Sequence, residues 1–172
     1  MPWDICLVRK LGVPGHSELA MGAIAANGVR VLNYEVLSWL NISDRTVDAV
    51  AARELKELQR RDRLYRGDRP QPEIRDRTVI LVDDGMATGL TMQAVVAVIK
   101  PQHPARLVVA VPVARPQTCD TLKTQVDEVV CLFAPSDLYS ISLWYDDFSQ
   151  ITDDQVCTLL APSGLMPSTS GH

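Results

Sequence analysis

Short apolar runs alternate with helical patterns along most of the chain. The runs are typical of strands that are buried on both faces of a parallel sheet. They occupy residues 4–8, 79–83, 106–113 and 128–133. Because strands and helices alternate, the pattern predicts an α/β fold in which a mostly parallel sheet lies between two layers of helices, a three-layer α/β/α arrangement.

Helical periodicity is clearest over residues 43–66, where apolar side chains recur on one face. Ser43 is a favourable N-cap, and Asp44 suits the positive end of the helix dipole. A shorter helix is predicted from Pro116 to about residue 125, because proline is well tolerated in the first helical turn. The last helix is predicted over residues 152–160, which begin with a Thr-x-x-Gln capping box.

An antiparallel hairpin is predicted ahead of the long helix. Asn27 and Gly28 separate two strand-like runs at residues 21–26 and 29–33. Asn-Gly is the preferred pair for tight turns that need positive φ at both central positions. Residues 11–18, which precede the hairpin, are predicted to form a loop.

Composition and charge are those of a single globular domain. The chain has 172 residues and a formal net charge of −4, which argues against non-specific binding of nucleic acid. No run has the length and purity of a membrane span, and no secretory signal pattern opens the chain, so a cytoplasmic location is expected. We expect one domain over residues 1–161 and a frayed polar tail over residues 162–172.

The most informative stretch is the apolar run at residues 79–82 together with the loop after it. Asp83 and Asp84 end the run, and Gly-Met-Ala-Thr-Gly-Leu-Thr follows before a helical pattern begins. Glycines allow successive backbone amides to point into one concavity, and the N-terminus of the next helix adds partial positive charge. The stretch therefore predicts a phosphate-binding loop beside two carboxylates, for a ligand that carries a phosphate and either sugar hydroxyls or a metal.

The acidic pair is open to two other interpretations. Paired Asp residues after a strand can simply cap the next helix, and in the receiver domains of signalling proteins they bind magnesium. A receiver domain also needs a Lys at the end of a later strand, and residues 106–114 and 128–135 contain none. Neither a Gly-x-Gly-x-x-Gly fingerprint after a strand nor a Gly-x-x-x-x-Gly-Lys-Ser/Thr loop is present.

The apolar run, the two acids and the Ala-Thr-Gly-x-Thr at residues 87–91 resemble the ribose-phosphate loop of type I phosphoribosyltransferases. The likeness extends to about residue 160. It is strongest to an uncharacterised bacterial branch of predicted phosphoribosyltransferases, through residues 4–15 and the Leu-Trp-Tyr-Asp-Asp-Phe-Ser-Gln at residues 143–150. The resemblance implies the phosphoribosyltransferase-like sheet, mostly parallel, with the antiparallel hairpin inserted.

This resemblance implies transfer of a 5-phosphoribosyl group from phosphoribosyl pyrophosphate to a nitrogenous base or amine, with release of pyrophosphate. It implies that Asp83 and Asp84 bind the ribose hydroxyls and that the loop after them binds the 5-phosphate. The loop residues are Gly85, Met86, Ala87, Thr88, Gly89, Leu90 and Thr91. Mg²⁺, held mainly by substrate oxygens, is the implied cofactor, and a homodimer is the implied assembly.

The resemblance suggests three further roles. Arg9 or Lys10, at the predicted end of the first strand, would be the cation on the pyrophosphate side, unless it is an ordinary surface charge. Residues 11–33 resemble the mobile lid of the family. The aromatic-rich segment near the chain's end is either a core patch that closes the sheet or a stacking surface for a flat base. Its candidate stacking residues are Leu143, Trp144 and Tyr145.

The sequence departs from the family pattern in two places. Ala87 stands where enzymes for 6-oxopurines usually carry a further Asp as a base, so these acceptors are disfavoured and the loop is closer to that of adenine phosphoribosyltransferases. The family also places a strand–loop–helix unit with a pyrophosphate-binding loop before residue 4. Its strand would lie between the runs at residues 4–8 and 79–83.

The second departure leaves two interpretations of function. A start assigned too late or a truncation would remove that unit, and a true short protein would complete its sheet in another way. Because two central strands would then lack their shared neighbour, we expect this form to be poorly soluble or weakly active alone. The alternative to an enzyme is a weak or inactive regulatory domain that binds phosphoribosyl pyrophosphate or a nucleotide.

Overall fold

The structure is a computed structural model that describes residues 3–67 and 69–160. Its strands are β1 (Val8–Val13), β2 (His16–Ala25), β3 (Arg30–Leu32), β4 (Thr78–Val82), β5 (Arg106–Val113) and β6 (Glu128–Phe133). Its helices are α1 (Tyr34–Trp39), α2 (Asp44–Arg66), α3 (Leu90–Ile99), α4 (Pro116–Lys123) and α5 (Asp153–Leu160). Single 3₁₀ turns lie at Lys100–Gln102 and Ile141–Trp144.

The first three strands form an antiparallel sheet in the order β1-β2-β3. Asn27 and Gly28 turn the chain between β2 and β3, and Gly28 has a φ of 88°, as its place in the turn requires. The predicted hairpin is therefore confirmed. Its pairing starts earlier than expected, because β2 also pairs along the whole of β1.

The last three strands form a parallel sheet in the order β4-β5-β6. Helices α3 and α4 cover one face of this sheet, and the side chains between them form the largest core cluster. That cluster includes Leu81, Met92, Val96, Leu107, Val109, Val111 and Leu122. The predicted strands at residues 106–113 and 128–133 have the bounds that the sequence indicated.

Helix α3 joins the two sheets. Val95 and Val96 pack on the parallel sheet, whereas Leu90 and Ala94 pack against Ala23 of the antiparallel sheet. Helix α2 covers the opposite face of the antiparallel sheet through a second apolar cluster. The start of α3, and with it the loop after β4, is thus fixed between two packed layers.

The predicted fold class is confirmed as a mixed α/β architecture with a parallel sheet and an antiparallel hairpin sheet. Ser43 caps α2 by accepting a hydrogen bond from the Thr46 amide, as predicted. The capping box of the last helix is also present, with Thr152 and Gln155 each accepting from the other's backbone amide. The polar tail predicted over residues 162–172 lies outside the described residues.

The strand predicted at residues 4–8 is wrong in its position. Residues 3–7 have no regular secondary structure, and the strand runs from Val8 to Val13. Residues 11–18, predicted as a loop, supply the end of β1, a two-residue turn and the start of β2. The reason is physical: the side chains of Leu11 and Val13 are buried against α2, so the strand continues past its charged residues.

Helix α1 was not foreseen by the periodicity. It is six residues long, and its N-cap is Asn33, whose side chain accepts a hydrogen bond from the Val36 amide. A helix this short leaves little periodic signal, since fewer than two turns cannot repeat an apolar face.

The parallel sheet has an open edge and an open face within the described residues. Strand β4 pairs with β5 alone. On the face away from α3 and α4, Val82 and Leu132 are 75% and 71% exposed. No helix in the described part of the chain combines the length and the apolar character that crossing a membrane requires.

Candidate functional site

The two acids lie at the carboxyl end of β4, which is the end of a parallel strand where open α/β sheets bind ligands. Asp83 is half-buried, and its Oδ1 accepts a hydrogen bond of 2.9 Å from the Asp84 amide. Loss of solvent around each carboxyl raises the pKa of both above the usual range, and the Asp84 charge raises the pKa of Asp83 further. Two carboxylates with raised pKa are poised to gain from a hydroxyl donor or a cation.

The loop after the two acids makes one further strand-like pairing, at Met86, with the chain just beyond the end of β5. Met86 bridges Ala114 in parallel: its amide donates to the Val113 carbonyl at 2.9 Å, and its carbonyl accepts from the Arg115 amide at 3.1 Å. The Met86 side chain is 2% exposed and belongs to the main core cluster. This pairing anchors the middle of the loop to the sheet.

Two glycines in the loop sit where a side chain would clash. A Cβ on Gly85 would lie 2.9 Å from the Val113 carbonyl oxygen and 2.7 Å from Ile141. Gly89 is the N-cap of α3 in the left-handed conformation, with φ 72°, and a Cβ there would lie 2.5 Å from Thr118 Cγ2. The Thr118 hydroxyl donates to the Ala87 carbonyl at 2.6 Å and so fixes the loop from the side of α4.

The amides that close the loop are available to a ligand. Within the described residues, the backbone N–H groups of residues 87–91 have no hydrogen-bond acceptor. The hydroxyls of Thr88 and Thr91 are exposed and likewise make no hydrogen bond within the described part of the chain. Unpaired amides at a helix N-terminus, beside hydroxyls, are the groups from which proteins build anion-binding nests for phosphate.

The aromatic segment reaches this loop. The Tyr145 hydroxyl donates to the Asp84 carbonyl at 2.7 Å, and its ring packs on Phe148 with centroids 5.2 Å apart. Trp144 packs on Phe133 at the end of β6, with centroids 5.8 Å apart. Leu143 is 76% exposed. Tyr145 therefore contacts the loop directly, while Leu143 and Trp144 flank it on an exposed surface.

The two cations predicted at the end of the first strand are separated. Both lie inside β1, so the expected strand-end position is wrong. Arg9 forms an ion pair with Glu54 of α2, on the face away from α3. Lys10 is exposed and lies opposite Ala23 in the pairing of β1 with β2. Because Ala23 packs against the start of α3, Lys10 lies on the face of the sheet that is directed towards α3 and towards the loop before it, residues 83–91, called the acid loop below.

Sequence reasoning missed the residues that hold the loop from a distance. Arg115 uses its amide on Met86 and its guanidinium on the Leu138 carbonyl, with N–O distances of 3.1 and 2.8 Å for the guanidinium. Thr118 and Ile141 close on the loop glycines. The one available signal for Arg115 was a charged residue two positions after a buried strand, at the end of the sheet where the loop also lies.

The donor set suits a divalent cation that a ligand partly coordinates. Within the described residues, no group of three or more His, Cys, Asp or Glu side chains forms a metal cluster. Asp83 and Asp84 supply only carboxylate oxygens, which Mg²⁺ prefers, and Mg²⁺ is commonly bound through one or two carboxylates together with substrate oxygens.

The chain belongs to the phosphoribosyl transferase domain family. The family model, "Phosphoribosyl transferase domain", matches residues 24–138, which include the acid loop, the parallel sheet and α4. The strand–loop–helix site described above lies within the matched residues.

Similar proteins support the same family. The chain is 39% identical over 159 residues to "Putative phosphoribosyl transferase Rv0571c" of Mycobacterium tuberculosis H37Rv, which covers 92% of this chain and 36% of that protein. The crystal structure of TT1426 from Thermus thermophilus is similar at 40% identity and a TM-score of 0.69, covering 91% of this chain and 74% of that one. The chain therefore spans only 36% of the length of the Mycobacterium tuberculosis protein.

Proposed function

We propose that this chain binds phosphoribosyl pyrophosphate at the loop after β4 and transfers its phosphoribosyl group to a nitrogenous acceptor, releasing pyrophosphate. The observation that carries the proposal is the nest of unpaired amides at residues 87–91 next to Asp83 and Asp84. A phosphate nest and two carboxylates match the two ends of a ribose 5-phosphate, which carries an anion and vicinal hydroxyls. Family membership supports the same reaction class.

Each part of the loop has a defined task in this proposal. Asp83 and Asp84 accept hydrogen bonds from the ribose 2- and 3-hydroxyls, which places the anomeric carbon at the open side of the site. The amides of residues 87–91 and the hydroxyls of Thr88 and Thr91 hold the 5-phosphate. When bound, Mg²⁺ would supply positive charge to the sugar and pyrophosphate oxygens, and the two carboxylates are the residues placed to share it.

On the pyrophosphate side, Lys10 is the better candidate of the two cations. Arg9 lies on the opposite face of β1 and pairs with Glu54 of α2, a largely buried carboxylate that also pairs with Arg53. Lys10 lies on the face of β1 that α3 covers, and α3 begins at the phosphate nest. A cation there would neutralise charge that develops on the leaving pyrophosphate.

The acceptor is proposed to bind on the side of the aromatic segment. Trp144 and Tyr145 offer ring surface there, and Ala87 offers no carboxylate that could take a proton from the acceptor. Acceptors that need such a base, the 6-oxopurines, are therefore disfavoured relative to nitrogens that react without one.

The test is release of pyrophosphate from phosphoribosyl pyrophosphate in the presence of Mg²⁺ and a panel of purine, pyrimidine and amine acceptors. We expect release that depends on one class of acceptor. Ala87→Asp, which restores the carboxylate of the 6-oxopurine pattern, is expected to shift the preference towards hypoxanthine and guanine. Absence of acceptor-dependent release with every acceptor, while binding of phosphoribosyl pyrophosphate persists, would contradict the transferase proposal.

One observation favours a binding domain as the second candidate. Because Arg9 pairs with Glu54 on the other face of β1, Arg9 is not available as the pyrophosphate-side cation, for which the sequence offered Arg9 or Lys10. A domain that holds the ribose phosphate but stabilises the leaving group poorly would bind without turnover. Binding of phosphoribosyl pyrophosphate by calorimetry, without release of pyrophosphate, is the outcome that separates this candidate from an enzyme.

A further inference from the structure

The segment at residues 138–145 is fastened to the acid loop at three points. Arg115 links the two, since its amide donates to the Met86 carbonyl and its guanidinium donates twice to the Leu138 carbonyl. Ile141 lies against Gly85, closely enough that a Cβ on the glycine would be 2.7 Å from its Cδ1. The third point is the 2.7 Å hydrogen bond from the Tyr145 hydroxyl to the Asp84 carbonyl.

The Tyr145 bond acts on the peptide group that governs the loop. The Asp84 carbonyl belongs to the peptide between Asp84 and Gly85, so fixing its oxygen also fixes the direction of the Gly85 amide. Glycine has the widest backbone freedom of any residue, and its conformation is therefore set by its surroundings. Holding this peptide keeps the Asp84 carboxylate in register with the amide nest that follows.

The end of the segment that carries Tyr145 also contacts neighbouring aromatic rings. Trp144 packs on Phe133 of β6, and the Tyr145 ring packs on Phe148. A displacement of the Asp84–Gly85 peptide would thus be passed to a group of rings that borders the loop. The coupling would be reciprocal, because a ligand that biases one arrangement of the loop biases the rings by the same free energy.

We propose that Tyr145 is a positioning residue that holds the Asp84–Gly85 peptide in its ligand-binding arrangement and couples occupancy of the loop to the surroundings of Trp144. The proposed coupling between the loop and Trp144 rests on the proposed function, which identifies the ligand. The proposed positioning of the Asp84–Gly85 peptide concerns the ligand-free protein and does not depend on that function.

The first experiment measures hydrogen exchange in the ligand-free protein. Tyr145→Phe removes only the hydroxyl, and Tyr139→Phe is the matched control, because Tyr139 lies in the same segment and is 83% exposed. We expect faster exchange at residues 84–86, whose amides are hydrogen-bonded, in Tyr145→Phe, by roughly 3- to 10-fold for one lost hydrogen bond, and no change in the control. Equal exchange in the two variants would overturn the proposal.

The second experiment uses Trp144 as a reporter of ligand binding. Trp3 and Trp39 are 63% and 74% exposed, so Trp3→Phe with Trp39→Phe leaves Trp144 as the single tryptophan, which excitation at the red edge of tryptophan absorption selects over tyrosine. We expect phosphoribosyl pyrophosphate with Mg²⁺ to change its emission, and Tyr145→Phe to lose that change and bind roughly 3- to 10-fold more weakly. An unaltered emission change in Tyr145→Phe would overturn the coupling.

The two experiments distinguish failure of the proposed function from failure of the role proposed for Tyr145. If the protein with its native Tyr145 does not bind phosphoribosyl pyrophosphate, the proposed function fails and the coupling fails with it. The exchange comparison still decides whether Tyr145 positions the loop. If binding is present and exchange at residues 84–86 is the same in Tyr145→Phe and Tyr139→Phe, the positioning role fails while the proposed function stands.

Discussion

At the scale of single residues, the acid loop combines groups that ligand binding favours and folding does not. Asp83 is half-buried beside a second carboxylate, and Gly89 holds a left-handed conformation under the Thr118 methyl. Burying a carboxylate and ordering a glycine both cost free energy of folding. A left-handed glycine also serves ordinary turns, but a loop that served structure alone would not be expected to bury a carboxylate beside a second one, which supports a ligand-binding role.

We predict that Asp83→Asn makes the protein more stable at neutral pH. Burial raises the pKa of Asp83 in the folded state, so its contribution to stability is fully present below the unfolded pKa of about 3.9 and is lost as pH rises through the folded pKa. Asparagine keeps the oxygen that accepts from the Asp84 amide and stays neutral throughout. Urea unfolding from pH 3 to pH 7 is expected to show a stability difference that opens with rising pH; a difference of the opposite sign would contradict this.

We predict that Gly89→Ala destabilises the protein by roughly 1 to 3 kcal/mol, because it combines positive φ with a clash against Thr118 Cγ2. Gly12→Ala is the control, since a Cβ there meets nothing within 4 Å and no positive φ is involved. Thr118→Ser removes the clashing methyl but keeps the hydroxyl, so it should recover part of the loss in Gly89→Ala. Thermal unfolding is measured for Gly89→Ala, Gly12→Ala, Thr118→Ser and the double variant Gly89→Ala with Thr118→Ser. Equal stability of Gly89→Ala and Gly12→Ala would count against the prediction.

At the scale of elements, the sequence pattern predicted strands and helices that have a clear local pattern and missed features that depend on contacts between elements. Strands β5 and β6 were predicted because their apolar runs are continuous, and α2 because its periodicity is long. The first strand was misplaced because Arg9 and Lys10 interrupt its apolar run, although the Arg9 side chain is accommodated by Glu54 across the interface with α2. Such a partner, 45 residues away, leaves no local signal.

The candidate site divides in the same way. The acids, the glycines and the hydroxyls of residues 83–91 follow one another in sequence and could be predicted together. The contacts from Arg115, Thr118 and Tyr145 could not, because they come from three later segments whose approach depends on how the chain packs. The separation of Arg9 from Lys10 similarly depends on the faces of β1, which become known only once its partners are.

The docking of α5 on α2 gives a prediction at this scale. Asp153 accepts hydrogen bonds from Tyr65 and Arg60, which lower the pKa of its carboxyl, and the Cys157 thiol on the same helix contacts the Leu64 carbonyl. We expect Asp153→Ala to loosen α5 and to raise the rate of maleimide labelling at Cys157 roughly fivefold or more, read by peptide mass spectrometry. Asp154→Ala is the neighbouring control, and equal labelling of the two variants would argue against this docking contact.

At the scale of the whole molecule, the described residues leave one sheet incompletely covered. Strand β4 has an unpaired edge, and the apolar side chains of Ile80, Val82, Val130 and Leu132 lie on a face without a covering helix. Unpaired edges and contiguous apolar surface favour self-association. The structure thus identifies the surface on which the expected poor solubility would depend, whereas the sequence attributed it to unpaired strand edges alone.

We predict that Leu132→Lys reduces self-association at micromolar concentration without lowering the free energy of unfolding by more than about 0.5 kcal/mol, since the side chain is 71% exposed. Leu159→Lys is the matched control, because Leu159 is 63% exposed on α5, away from the sheet. Sedimentation velocity across a concentration series measures the effect. Equal association of the two variants would show that the open face of the sheet is not the surface responsible.

The central claim is that the loop after β4 binds phosphoribosyl pyrophosphate through Asp83 and Asp84, and calorimetric titration with Mg²⁺ present tests it most directly. Asp48→Asn with Asp120→Asn makes the same change in charge at two surface ion pairs and serves as the control for Asp83→Asn with Asp84→Asn. We predict binding by the unsubstituted protein and by the control, and binding weaker by on the order of 100-fold in the loop variant, which loses two charge-assisted hydrogen-bond acceptors. Equal binding by the two double variants, or no binding by the unsubstituted protein, would contradict the claim.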